Sequence, residues 1–333
     1  MRLSLQTKPL NCRACVIVFL LFIFSVVAAH GNSPDHKRNS QQVERSVAAD
    51  PRVVVSACIV SGDVRVHGWD RNEVRARISD GVQITLTRVD QTKSQTATEL
   101  KLTAKENRPT KESPCLLQGD LELDVPRAGS VKLQTNSGDI SVTEVARVNA
   151  TSLSGTITLV KVHDEAIVNG ISGEISAHDS TGSFKLHTVS GSVDARDLAP
   201  AGPGAVLEAN TTSGDVTMDR IQHQRVSVNT VNGEVKYTGP LARGGRYSFQ
   251  GISGQLRLFL PANSSFRFSG TVGVGGDFHS DFNLKDEQPD VEKYGPTRHL
   301  EGVVGSGDAS INASVFSGSI QIRKQRALSQ PKP

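Results

Sequence analysis

Cysteine, histidine and acidic side chains are the groups here that could bond, ligate or catalyse, and their spacing narrows the choice. The cysteines are Cys12, Cys15, Cys58 and Cys115. Cys12 and Cys15 precede an apolar run, which leaves Cys58 and Cys115 as an even pair in the body of the chain. In an exported protein such a pair suggests a disulfide. Closing that loop would contribute about 4 kcal/mol in the chain-entropy model. The alternative is two buried free thiols. A metal site is a poorer reading, because no His neighbours either Cys at ligand spacing. His163, His178, His187 and His223 fall in different repeats and read as surface groups, although His178 and His187 could approach across neighbouring rungs. Asp139, Glu174, Asp215 and Glu234 each follow a glycine. Such a column could hold calcium, but the glycine-rich nonapeptide pattern for it is absent. Paired carboxylates, HExxH, a Walker loop and GxSxG are also absent. The sequence therefore predicts no catalytic residue, no metal site and no cofactor.

The elements that position these groups are set by one phrase: a small polar residue, glycine, any residue, then an aliphatic. Its glycines between residues 131 and 260 are Gly138, Gly155, Gly173, Gly191, Gly214, Gly233 and Gly254. Outliers occur at Gly62 and Gly318, and a weak copy at Gln118-Gly119-Asp120-Leu121. The seven central glycines are 17, 18, 18, 23, 19 and 21 residues apart. That length holds two short strands and two corners but no helix. The reading is all-β: a parallel β-solenoid, a single β-helix-like stack with coils of about 17–23 residues and rungs about 4.8 Å apart. A series of antiparallel hairpins is the alternative; columns of like residues favour the stack.

Residues seven and five before each glycine are apolar (Val131 and Leu133, Phe184 and Leu186, Tyr247 and Phe249), as are those two and four after (Ile140 and Val142, Val235 and Tyr237). Inward positions are thus odd upstream and even downstream. A flat strand cannot keep both sets on one face, so the glycine marks a corner, where a residue without Cβ is tolerated. The acids after glycine alternate with Thr156, Ser192 and Gln255 up to the Asp215–Glu234 step, which spaces like charges along the stack. Four before glycine is a polar column, Gln134, Thr151, Asn169, His187, Asn210, Asn229 and Gln250. It reads as an amide ladder on an outer face and, alternatively, as a flat ligand-binding strip. Two before glycine stand Leu153, Ile171, Val189, Val231 and Ile252, an aliphatic stripe expected to be covered by the N-terminal strands or by a partner.

Outside the regular block, residues 1–29 have a basic start, an apolar run over 16–27 and Ala28-Ala29, the pattern of a secretory signal peptide. The run is short for a membrane span, so the mature chain is expected to lack one. Residues 30–50 read as a disordered spacer. Residues 51–130 read as an N-terminal β region with cap and hairpins, including a turn at Ser79-Asp80-Gly81 and a polar excursion over 88–113. Trp69 reads as a plug closing the end of the stack. Residues 261–325 read as one or two further coils with an inserted loop, and 326–333 as a disordered tail.

A net charge of +3 and 5% aromatic residues argue against a nucleic-acid partner. The Ser-Gly-x-aliphatic units, Gly68-Trp69-Asp70 followed by Val74, and Val304-Gly305-Ser306-Gly307 before the last unit resemble the bacterial "putative adhesin" domain family of unknown function over about residues 52–323. The resemblance implies an exported envelope or surface protein and supplies no catalytic residues. The expected function is a non-enzymatic, adhesin-like binding or scaffolding protein, located in the periplasm, at the cell surface or outside the cell. Its partner would be an envelope or surface protein or a polysaccharide. The alternatives are a polysaccharide-active β-helix enzyme and an envelope-stress signalling accessory protein.

Overall fold

A computed structural model describes residues 43–79, 82–90, 95–104, 115, 117–273, 275–284 and 297–325. The leader expected over 1–29 and the tail expected over 326–333 lie outside these. The first strand, Val43–Ser61, takes in the last eight residues, 43–50, of the stretch read as a spacer, which corrects that boundary.

The chain is an all-β parallel solenoid. One coil shows the unit. The strand Ser130–Ser137 runs to the corner at Gly138, Ile140–Thr143 leaves it, and residues 144–146 return the chain to Arg147–Ser154. Successive coils pair in parallel with like positions opposite: Val131, Val148, Ala166, Phe184, Leu207, Val226 and Tyr247 upstream of the corner. Downstream the series is Ile140, Ile157, Ile175, Val193, Val216, Val235 and Leu256. All of these are buried, so the change of inward parity at glycine is real. The longest interval, from Gly191 to Gly214, is taken up by the loop 200–205 between two strands.

Two further inward columns stand beside those expected from the sequence. Three before glycine lie Thr135, Ser152, Thr188, Thr211 and Thr230, all buried. Their hydroxyls can satisfy corner carbonyls: Thr135 Oγ1 donates to Ser137 O at 3.0 Å and Thr211 Oγ1 to Gly191 O at 3.0 Å. At these rungs the tight corner meets the requirement that buried polar groups be paired, whereas Thr230 Oγ1 is buried with no hydrogen-bond partner among the described residues. Seven after glycine lie Val145, Val162, Ser180, Leu198 and Ile221, also buried. Parity is reset there by a second corner at Glu144, Lys161, Asp179, Asp197 and Arg220, non-glycine residues with φ of 52–60°. Left-handed geometry at such residues is uncommon. Ion pairs link several of them along the stack: Lys161 Nζ lies 3.1 Å from Glu144, and Arg220 Nε 2.6 Å from Asp197. Lys161 holds the Glu144 carboxyl below its usual range, and Arg220 does the same for Asp197.

Both ends depart from sequence order. The coil formed by Val43–Ser61 and Val64–Trp69 lies between the coil of Ser130–Thr143 and one containing Ala97–Ala104 and Leu121–Pro126. At the other end Ala309–Lys324 lies on Arg246–Leu260, and the earlier strands Phe266–Val272 and Asp277–Ser280 lie outside it. Each outermost coil is then covered by antiparallel strands. Glu73–Ile78 pairs with Leu121–Pro126, Ile84–Arg88 with Ala97–Ala104, and Arg298–Val304 with Phe266–Val272. Such strands blunt the exposed edge of a stack.

Two local expectations are corrected. Glu73–Ile78 and Ile84–Arg88 do not form a hairpin with each other; each takes a different partner, because the terminal coil offers two edges rather than one. Trp69 does not plug the end. Its strand sits between two others, and its half-buried ring has the guanidinium groups of Arg71 and Arg75 at 5.0 and 4.8 Å from its centre. Its Nε1 donates to Glu73 O at 2.8 Å.

Candidate ligand-binding surface

The phrase glycines form one column running through the stack in spatial order. A Cβ on Gly155 would lie 2.3 Å from Gly138 O, and one on Gly191 2.0 Å from Gly173 O. Gly155 also has a φ of 124°. The same collision with the preceding corner's carbonyl recurs at Gly62, Gly138, Gly173, Gly214, Gly233, Gly254 and Gly318. Glycine is needed here chiefly for close backbone approach, and these residues are structural. The acid that follows has a related task. Asp139 Oδ1 accepts from Thr156 N at 2.7 Å, Asp63 from Asp139 N at 3.1 Å, Asp120 from Asp63 N at 3.0 Å, and Asp215 from Glu234 N at 2.8 Å. Asp120, Asp63 and Asp139 therefore follow one another on adjacent rungs without a neutral spacer, each stabilised by a backbone N–H.

The polar column four before glycine lies on the outer face of the upstream sheet. Asn229 Nδ2 donates to Asn210 Oδ1 at 2.7 Å, and Asn210 Nδ2 lies 3.0 Å from His187 Nδ1. The amide can only donate there, so the imidazole accepts through Nδ1. With Gln250, Val231 and Ile252 these groups border a shallow cavity of about 520 Å³. Cys58 and Cys115 occupy the same column: each precedes its corner glycine by four residues, and Cys58 pairs with Gln134 across the ladder. Their sulfurs are bonded, with Cα atoms 4.8 Å apart. The bridge takes the place of an amide contact at the terminal rungs.

Beside this column the aliphatic stripe is uncovered, contrary to the expectation that the N-terminal strands would lie over it. Those strands extend the stack at its end. Leu153, Ile171, Val189 and Ile252 are 44–51% exposed, and Phe316, in the same position of the last unit, is 69% exposed.

The histidines separate. His163 is exposed and His178 meets Asp179 Oδ2 at 3.0 Å. His178 and His187 do not meet, because one follows its corner and the other precedes it. His223 is buried, not on the surface. Its Nε2 donates to Gly182 O at 2.6 Å, its ring packs edge-on against Phe184, and burial lowers its pKa. No cluster of three or more His, Cys, Asp or Glu residues is placed to hold a metal among the described residues.

A family model, Toastrack DUF4097, matches residues 55–323, a span from the first coil to the last. The chain belongs to this family. The Toastrack match covers nearly the whole range over which the residues themselves suggested an adhesin-like family. Among solved structures, this Toastrack chain is similar to a "putative cell adhesion protein" from Clostridium sporogenes, with 11% identity, 86% of this chain and 100% of that one covered, and a TM-score of 0.27. It is also similar to a "putative adhesin" from Bacteroides fragilis, with 10% identity, 86% and 97% covered, and a TM-score of 0.39. No curated protein matches. No helix long and apolar enough to cross a membrane occurs among the described residues.

Proposed function

We propose that this Toastrack chain is an exported, non-enzymatic binding module of the bacterial envelope or surface, and that the outer face of its upstream strands is the recognition surface. The observation that carries this reading is the pairing of two parallel rows on one face. The Asn229–Asn210–His187 ladder offers fixed polar groups. The exposed Leu153, Ile171, Val189 and Ile252 offer apolar contact alongside it. A surface that repeats with the rung spacing suits an extended ligand, such as a polysaccharide or a peptide strand, more than a compact one. Asp63, Asp120, Asp139 and Asp215 are occupied with backbone N–H groups at the corners, which leaves them poorly placed as a general acid and base.

The test is capture of envelope components by the purified full chain, compared with a Leu153→Ser, Ile171→Ser, Val189→Ser triple variant. Retention by the native chain and loss in a variant of unchanged thermal stability supports the reading. Equal retention by both, or turnover of an envelope polysaccharide by the native chain, overturns it. Fractionation of producing cells tests export, with a cytoplasmic chain of full length as the contrary result.

A further inference from the structure

The second-corner ridge of charged side chains is interrupted near the C-terminal end. It runs through Asp197 and Arg220, but at the next two coils the equivalent positions are Gly239 and the buried Leu260, followed by Pro240 and Pro261. It resumes at Lys324. Where no outward side chain stands, a hollow of about 1170 Å³ opens, bordered by Arg220, Lys236, Phe259, Asp281, Arg323 and Lys324. It is larger than a usual small-ligand site.

The electrostatics of this hollow are unbalanced. Arg220 is already bonded to Asp197 and Asp219. Arg323 lies 3.2 Å from Asp281 Oδ1. The Asp281 carboxyl is held below its usual range by the Lys324 N–H, His279 and Arg323, so it is ionised and committed to these donors. Lys236 and Lys324 make no ion pair among the described residues. Their amines lie 5.8 Å from the Phe259 ring and 5.2 Å from the Phe282 ring respectively. Two ammonium groups without an ion-pair partner among the described residues thus border a surface that also includes the Phe259 ring and two prolines. An ammonium acts as a point charge for an anion, while the negative face of the ring suits the C–H face of a sugar.

We propose that this hollow binds an acidic oligosaccharide, with carboxylates of hexuronate units on Lys236 and Lys324 and a pyranose face on Phe259. The site lies at a different corner from the recognition face above and does not depend on it. The test is calorimetric titration of the full chain with trigalacturonate and with its methyl ester, which keeps the rings and removes the charge. The expected result is binding of the acid alone, weakened by salt and weakened about tenfold or more, equivalent to about 1.4 kcal/mol, by Lys236→Ala with Lys324→Ala and separately by Phe259→Ala. Both lysines are exposed, so the double variant should fold, which thermal unfolding checks. The triple serine variant of the stripe should bind the acid as the native chain does. Failure to bind trigalacturonate, equal binding of the ester, or unchanged binding by the lysine variant overturns the proposal. Loss of trigalacturonate binding in the stripe variant also overturns it, by placing the ligand on the other face.

Discussion

From Gly138 to Gly254 each coil lies on the one that precedes it in the chain; at both ends that order breaks. The central coils are held by local succession and by an uninterrupted glycine column. The terminal coils reach back over a neighbour, are covered by antiparallel strands and need additional fastening. At the N-terminal end that fastening is the Cys58–Cys115 bridge and the pairing of Asp124 with Arg75 and Arg77 at 2.8 and 3.2 Å. At the C-terminal end it is aromatic packing: Phe266 against Phe282 and Phe268 against Phe278 in the outer strands, and Tyr237 against Tyr247 and Phe249 in the last two regular coils on which they are built. Repetition alone stabilises the middle of a stack, whereas an end has lost one neighbour and must gain contacts of another kind.

The largest effect is expected at the glycine column of the central coils. Gly155→Ala places a Cβ against a backbone carbonyl that other rungs hold in place. Urea unfolding should show a loss of roughly 3–5 kcal/mol, combining overpacking with left-handed strain. Gly202→Ala, in an open loop with no atom near the new Cβ, should stay within about 0.5 kcal/mol. A similar cost for both would mean that close approach at the column does not hold the central coils together.

The aromatic end comes next. Phe249→Ala should lose about 3–5 kcal/mol, and its hydrogen exchange should rise first in the coils beyond Arg246, with the coils around Gly155 less affected. Reduction of the Cys58–Cys115 bridge should lower stability by about 2–4 kcal/mol. The accompanying exchange should be confined to the N-terminal coils. Uniform exchange through the whole stack would mean that the ends and the middle unfold as one unit.

The smallest of these effects is a pH dependence from His223. Burial lowers its folded pKa, so the unfolded chain binds more protons over the interval between the two values. Stability should be greatest above the ordinary histidine range near 6.5 and decline as pH falls below about that value. His223→Gln should flatten that slope in thermal unfolding scans between about pH 5 and 7; an unchanged slope would assign it to other groups.

Much of this was legible in the residues. The parity change across Ser137-Gly138-Asp139-Ile140 disclosed a corner, and the recurrence of like residues at fixed offsets disclosed a stack. The same parity, carried one step further, would have found the inward Thr135, Thr211 and Thr230, which look like surface residues by type. It would also have shown that Cys58 and Cys115 stand at equivalent places. The second corner was harder to see, because Glu144, Lys161 and Arg220 adopt left-handed geometry under the constraint of neighbouring rungs, not from a preference of their own. The burial of His223 was illegible for a related reason: nothing adjacent in the chain indicates that its ring enters beside Phe184.

The coil follows from the residues alone, because strand alternation and the demand for a residue without a side chain at the corner are both local. The residues also determined which faces look inward and which carry amides and aliphatic groups. Tertiary structure alone decided the order of the terminal coils, since nearly identical phrases can pair with more than one neighbour and edge coverage favours one arrangement. It alone left the aliphatic stripe open and the charged ridge interrupted between Arg220 and Lys324. Both features depend on which rungs lie side by side, and that is a property of the assembled stack.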